Sequence, residues 1–132
     1  MPAFLLDTNI VNCLIRSHAK VLRRAAHVPS ALMRISAITL GEIEHGLARR
    51  PQAVALRHAV SLMLESVLVE PWDAVAARTY GELRARMERE GRTLAPLDMQ
   101  IAAHALSLQL VLVSNDAAFR HVTGLQLEDW CV

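Results

Sequence analysis

Aromatic side chains make up only 4% of this 132-residue sequence, and Lys20 is its one lysine. The shortage of Phe, Tyr and Trp leaves the core to Ala, Leu, Val and Ile, within a hydrophobic complement of 53%. An aliphatic core of that kind suits a buried sheet covered by helices better than an aromatic-rich sandwich. Cysteine is almost missing too. Cys13 and Cys131 stand far apart in the sequence, without the spacing of metal ligands or of a redox motif. They read as reduced thiols of a cytoplasmic protein. No charged segment leads into an apolar one at the start, so no secretory signal is expected. The most apolar stretch, residues 101–113, is broken by His104, Ser107 and Gln109. It is too short and too polar to cross a bilayer. These absences, with a length typical of one domain, point to a single soluble cytoplasmic domain without membrane contact.

Charge excludes another class. A formal net charge of +1 does not belong to a broadly basic nucleic-acid binder. The distribution is less even: residues 1–66 carry eight Lys and Arg against four acids, and residues 67–132 carry six against nine. Arg16, Lys20, Arg23, Arg24 and Arg34 follow one another with no acid between them. They are candidates to grip RNA phosphates. A solvated helix face is the plain alternative.

Short apolar runs alternate with helical periodicity along the chain. Strands are expected at residues 3–6, 34–36, 67–69, 110–113 and 126–130. Helices are expected at 9–15, 20–27, 39–49, 53–64, 73–90 and 98–108, with a helical turn at 117–121. The stripe Val75/Ala76, Tyr80, Leu83, Met87 keeps helical spacing, and Gly91 closes that helix. Strands separated by helices imply an α/β fold with a central, mostly parallel sheet and helices on both faces. Ligands of such sheets bind beyond the carboxyl ends of the strands.

Four acids fall at that rim. Asp7 follows the first strand in LLDTN; Glu42 lies in ITLGEIEHG; Asp98 starts a helix in LAPLDMQIAAHA; Asp116 follows the fourth strand in LVLVSNDAAF. Each has a local explanation. Asp7 and Asp116 suit helix N-caps, Thr39 to Glu42 reads as a capping box, and Asp98 favours a helix dipole. Capping does not require all four to share one rim. Gathered carboxylates repel unless a cation neutralises them. An all-oxygen ligand set points to Mg²⁺ or Mn²⁺, ions that activate water and stabilise a leaving oxygen in phosphodiester hydrolysis.

These four segments, with the ending GLQLEDW, resemble the VapC-like PIN-domain ribonucleases, the toxins of bacterial and archaeal toxin–antitoxin pairs. The resemblance runs from Ala3 to Trp130. It implies a three-layer PIN-like fold and Mg²⁺- or Mn²⁺-dependent endoribonuclease activity. It also implies a homodimer and a small VapB-like antitoxin whose tail enters the toxin's groove. The family's metal-binding acids fall on Asp7, Glu42, Asp98 and Asp116. Its hydroxyl-bearing neighbours fall on Thr8 and Ser114, which could hold a metal-bound water.

Rival chemistries lack residues. A phosphatase of the haloacid-dehalogenase type using Asp7 wants an acid two positions on, where Asn9 stands, and a late lysine. A receiver domain fails for the same lysine. A di-iron bundle needs two Glu-x-x-His steps, and only Glu42–His45 makes one. His45 reads as a surface residue and His104 as a satisfied core histidine. A non-catalytic interaction domain on the same fold is the alternative of another class. It would have no reason to keep all four acids.

Overall fold

The computed structural model describes residues 2–132. Its elements are β1 (Phe4–Leu6), α1 (Thr8–Ile15), α2 (Ala19–Ala25), β2 (Met33–Ser36), α3 (Ala37–Ala48), α4 (Val54–Glu65), β3 (Leu68–Glu70), α5 (Ala74–Arg89), α6 (Pro96–Leu108), β4 (Val111–Val113) and β5 (Leu127–Glu128). Two 3₁₀ turns, Ser30–Leu32 and Ala117–His121, complete the path. The sheet order is β3-β2-β1-β4-β5, and every pairing is parallel.

The central strands are short and buried on both faces, which is why they read as unbroken apolar runs. Their side chains still sort by the two-residue period of a strand. Phe4, Leu6, Met33, Ile35, Val111 and Val113 face one core, with Ile10, Val11, Val21 and Ile43 from the helices on that side. Leu5 and Leu112 face the other, against Leu83, Met87, Met99, Ile101 and Phe119. The result is three layers. Among the described residues, no helix is long and apolar enough to cross a membrane.

The expected elements are all present, with two shifts of consequence. The last strand is shorter than residues 126–130: Trp130 leaves it and packs edge-on against Phe4, with ring centroids 5.3 Å apart. The helix expected from Thr39 begins at Ala37. Its N-cap is Ser36, whose Oγ accepts from the Ile38 amide at 3.0 Å. Thr39 is therefore fully buried inside the helix, and Thr39 to Glu42 is not a capping box. Gly91 does close the long helix, at φ +69°, a region that glycine enters without steric cost.

The two cysteines, remote in sequence, meet in the fold. Cys13 on α1 and Cys131 belong to the same core cluster. Burial, the adjacent Cys13 thiol and Asp129 push the Cys131 thiol up to about 11. Both are free thiols. This agrees with the sequence reading of reduced thiols, although the crossover connections bring the two residues into one core cluster.

His104 is the core histidine that its apolar helix suggested. It is 1% exposed, its Nδ1 lies 2.8 Å from Ser36 Oγ, and Trp72 packs edge-on against it at 5.3 Å. Burial lowers its pKa; Glu70, the Pro71 backbone and Asp73 oppose that only in part. The unfolded chain then takes up a proton near the ordinary histidine value of about 6.5, before the native state does. The stability that neutral His104 gives is complete above that value and shrinks as pH falls toward the lowered one. The loss caused by His104→Ala, read from urea melts, is expected to be largest at pH 7.5 and smaller at pH 5.5. An equal loss at both pH values would contradict a depressed histidine.

Candidate metal centre

Sheet topology decides where the acids go. From β1 the chain proceeds to β2 and β3 on one side, then returns through α6 to lay β4 on the other. The β1–β4 junction is the point of reversal, where open parallel sheets leave a crevice at their carboxyl ends. Asp7 ends β1 and Ser114 ends β4 at this point. The Asp7 amide donates to the Val113 carbonyl at 3.1 Å, extending the strand pairing by one bond. Asp7 is 4% exposed. Its Oδ1 accepts from the Ile10 amide at 2.9 Å, so it is the N-cap of α1 that a local reading expects.

Capping does not account for its electrostatics. Burial raises the Asp7 pKa; the Ser114 hydroxyl and the Ile10 amide pull it down; the Asp98 and Asp116 carboxylates add to the rise. Asp98, in the first turn of α6 behind Pro96, is raised by burial and by the charges of Asp116 and Glu42. Asp7 and Asp98 thus both feel the charges of neighbouring acids. Four segments distant in sequence bring four carboxylates to one rim.

The remaining groups hold these acids in place. Glu42 stands on α3 past its first turn, and its Oε1 accepts from the Thr8 hydroxyl at 2.8 Å. Thr8 Oγ1 also lies 3.2 Å from Thr39 Oγ1. Thr39 is the residue that sequence reasoning missed, because its place in the box reading hid its burial. Asp116 caps the 3₁₀ turn through the Ala118 amide at 2.9 Å, and its own amide donates to Ser114 Oγ at 3.0 Å. Ser114 is tied to the next strand by its amide, which reaches the Glu128 carbonyl at 3.0 Å. Both hydroxyl residues expected at the site, Thr8 and Ser114, lie among the acids.

Among the described residues, no three His, Cys, Asp or Glu side chains are drawn close enough to form a ready-made cation group. The bonds to Ile10, Thr8 and Ala118 hold Asp7, Glu42 and Asp116 in their separate places. The donors still suit a hard divalent cation, since all are oxygens and they are short of positive charge.

The basic residues divide. Arg34 is committed to Glu70 on β3 at 2.8 Å, and Arg24 to Glu128 at 3.1 Å. The Arg24 guanidinium also lies over the rings of Phe4 and Trp130, 5.8 and 5.3 Å from their centroids. Arg16 is exposed at the end of α1, and Lys20 and Arg23 are exposed on α2. Arg84 stays outside, bonded to the Tyr80 hydroxyl at 3.0 Å, and Trp72 and Trp130 are packing residues.

Comparison with known proteins decides the family. The PIN domain model matches residues 4–125. The chain belongs to the PIN-domain family. The tRNA(fMet)-specific endonuclease VapC of Shigella flexneri is 34% identical over 131 residues, which is 98% of this chain and 99% of that protein. The VapBC structure of Salmonella typhimurium, bound to DNA, superimposes with a TM-score of 0.85 at 32% identity, covering 99% of this chain and 100% of that one. VapBC2 of Rickettsia felis, bound to a DNA fragment from its promoter, gives a TM-score of 0.87 at 26% identity, covering 97% and 98%. Within the PIN-domain family the chain sits with the VapC proteins, over nearly its whole length.

Mutual repulsion among the acids has a thermal consequence. Among the described residues Asp98 makes no side-chain hydrogen bond, so its charge meets burial and like charges without compensation. Asp98→Asn is expected to melt above wild type in chelator at pH 7.5. Added Mg²⁺ or Mn²⁺ should raise the melting temperature of wild type more than that of the variant, because a cation that binds only the native state stabilises it. A variant that melts at or below wild type in chelator, with an equal metal shift, would leave Asp98 as a dipole partner only.

Proposed function

We propose that this PIN-domain chain is a divalent-cation-dependent endoribonuclease, the toxin of a toxin–antitoxin pair. The observation that carries the reading is the coupling of Asp7, Glu42, Asp98 and Asp116 at the sheet's reversal point. The four acids would hold one or two Mg²⁺ or Mn²⁺ ions. When bound, such ions activate water and stabilise the departing oxygen of a phosphodiester.

The chain's own residues do the rest. The Ile10 amide and the β1–β4 pairing fix Asp7, so its carboxylate cannot swing away from the rim. The Thr8 hydroxyl orients Glu42, and buried Thr39 backs it. Ser114 Oγ accepts from the Asp116 amide, and its hydroxyl offsets part of the cost of the Asp7 charge. An acid of the rim or bulk solvent takes the proton of the attacking water. The products expected are a 5′-phosphate and a 3′-hydroxyl. A tRNA is the first substrate to test, because the Shigella and Salmonella VapC relatives are named for cutting tRNA(fMet).

The partner proposed is a VapB-like antitoxin. A groove of about 400 Å³ is lined by Thr8, Glu42, Arg49 and Arg50, with Ile15 and Leu56 among its apolar walls. An apolar lining that also carries Glu42 and two arginines suits a peptide segment that blocks the rim. The Rickettsia felis and Salmonella typhimurium neighbours are VapBC structures bound to DNA, which supports a VapB-like partner. A homodimer of the toxin is part of the same proposal.

Purified protein is expected to cut RNA with Mg²⁺ or Mn²⁺ and to stop in chelator. Asp7→Asn, which keeps the cap, should lose about 100-fold or more in rate while its melting curve stays cooperative. Full cleavage in chelator, with contaminating nuclease excluded, would contradict the metal reading. In cells, expression of the wild type alone should slow growth, and co-expression of the neighbouring antitoxin should restore it. Asp7→Asn should be harmless. Growth arrest by both proteins would separate toxicity from cleavage.

A further inference from the structure

We propose a second RNA subsite in the cleft between α2 and the C-terminal turn, taking phosphates of the single strand that flanks the bond to be cut. The proposal rests on the nuclease reading above and adds the route by which the strand leaves the acids. The cleft has a volume of about 540 Å³ and is lined by Lys20, Arg23, Arg24 and His27, with Asp129 and Trp130 opposite. The four basic residues recur at helical spacing, so they form one face of α2 and the turn after it.

They do not have the same task. Arg24 is held by Glu128 and by the rings of Phe4 and Trp130, which anchors α2 to the sheet edge. Among the described residues, Lys20, Arg23 and His27 enter no ion pair. Three donors are thus turned to a cleft whose shape is fixed by the fourth. Arg34 lies outside the cleft's lining and stays with Glu70.

The cleft adjoins one of the acids. A smaller pocket of about 200 Å³ is lined by Ser114, Asp116, Arg120, Glu128 and Asp129. Asp129 lines both pockets, so the basic cleft neighbours the pocket that holds Asp116 and Arg120. A strand with its scissile phosphate at the rim would pass Arg120 and then meet Lys20, Arg23 and His27. The electrostatics require such a flank. A polyanion approaching four carboxylates is repelled, and cations beside the rim offset that by releasing counterions from the strand. Pockets of this size admit one strand rather than a duplex.

The test is binding of a labelled single-stranded oligoribonucleotide, measured by anisotropy from low to moderate salt in the cleavage-deficient Asp7→Asn background. Lys20→Ala/Arg23→Ala is expected to bind about 10-fold more weakly at low salt. The slope of log Kd against log salt should fall by about 1 to 1.5, as for two lost contacts on a single strand. Arg78→Ala/Arg89→Ala removes the same charge from exposed positions of α5, in the opposite layer, and should leave the slope unchanged. An oligonucleotide with neutral methylphosphonates on one side of the cut should abolish the difference between the cleft variant and its parent. An unchanged slope in the cleft variant, or an equal change in the α5 control, overturns the subsite while cleavage by wild type keeps the nuclease reading. Wild type that neither binds nor cuts RNA with Mg²⁺ or Mn²⁺ overturns both.

Discussion

Asp7 carries a carboxylate to the end of a fully buried strand, where only 4% of its surface meets water. Desolvation disfavours the charged form, and the Asp98 and Asp116 charges add to the cost. Most of the local architecture answers that one constraint. The Ile10 amide at the start of α1 and the Ser114 hydroxyl at the end of β4 hold the charge from two sides. Neither would be there unless β1 and β4 were neighbours, and the Asp7–Val113 backbone bond fastens them at the point where the acid emerges.

Sheet topology turns this into a site. Because strand order reverses between β1 and β4, the loops after these strands diverge and leave room above the junction. Into that space α6 brings Asp98 and α3 brings Glu42, each from a helix packed on a different face. The same crossovers bring the last turn beside α2, where Glu128 and Trp130 clamp Arg24. One junction therefore sets the acid rim, and Asp129 marks where the pocket of Asp116 neighbours the basic cleft.

Much of this was legible in the sequence. Apolar runs such as FLL and VLV, each followed by an acid, marked the buried strands and the rim together. Asp7 and Asp116 were recognised both as caps and as site acids, and the structure gives them the caps while coupling their charges. The local explanation offered for Glu42 fails: Ser36, not Thr39, caps α3, since the strand runs directly into the helix without a linker. Local pattern also failed for the basic stretch. Arg24 and Arg34 find acids far along the chain, and no local rule reveals such partners. The meeting of Cys13 with Cys131 was hidden for the same reason: contact between chain ends follows from topology, not spacing.

The account's central claim is that the four carboxylates share one divalent cation site. Paramagnetic Mn²⁺ tests it without substrate or partner. Titrated into isotopically labelled protein, Mn²⁺ should first broaden the amide signals around Asp7, Thr8, Glu42, Asp98, Ser114 and Asp116, and excess Mg²⁺ should reverse the effect. Signals from the exposed face of α5 should stay sharp at the same Mn²⁺ level. Broadening that begins at other surface acids, or that spares the rim at saturating Mn²⁺, would contradict the claim.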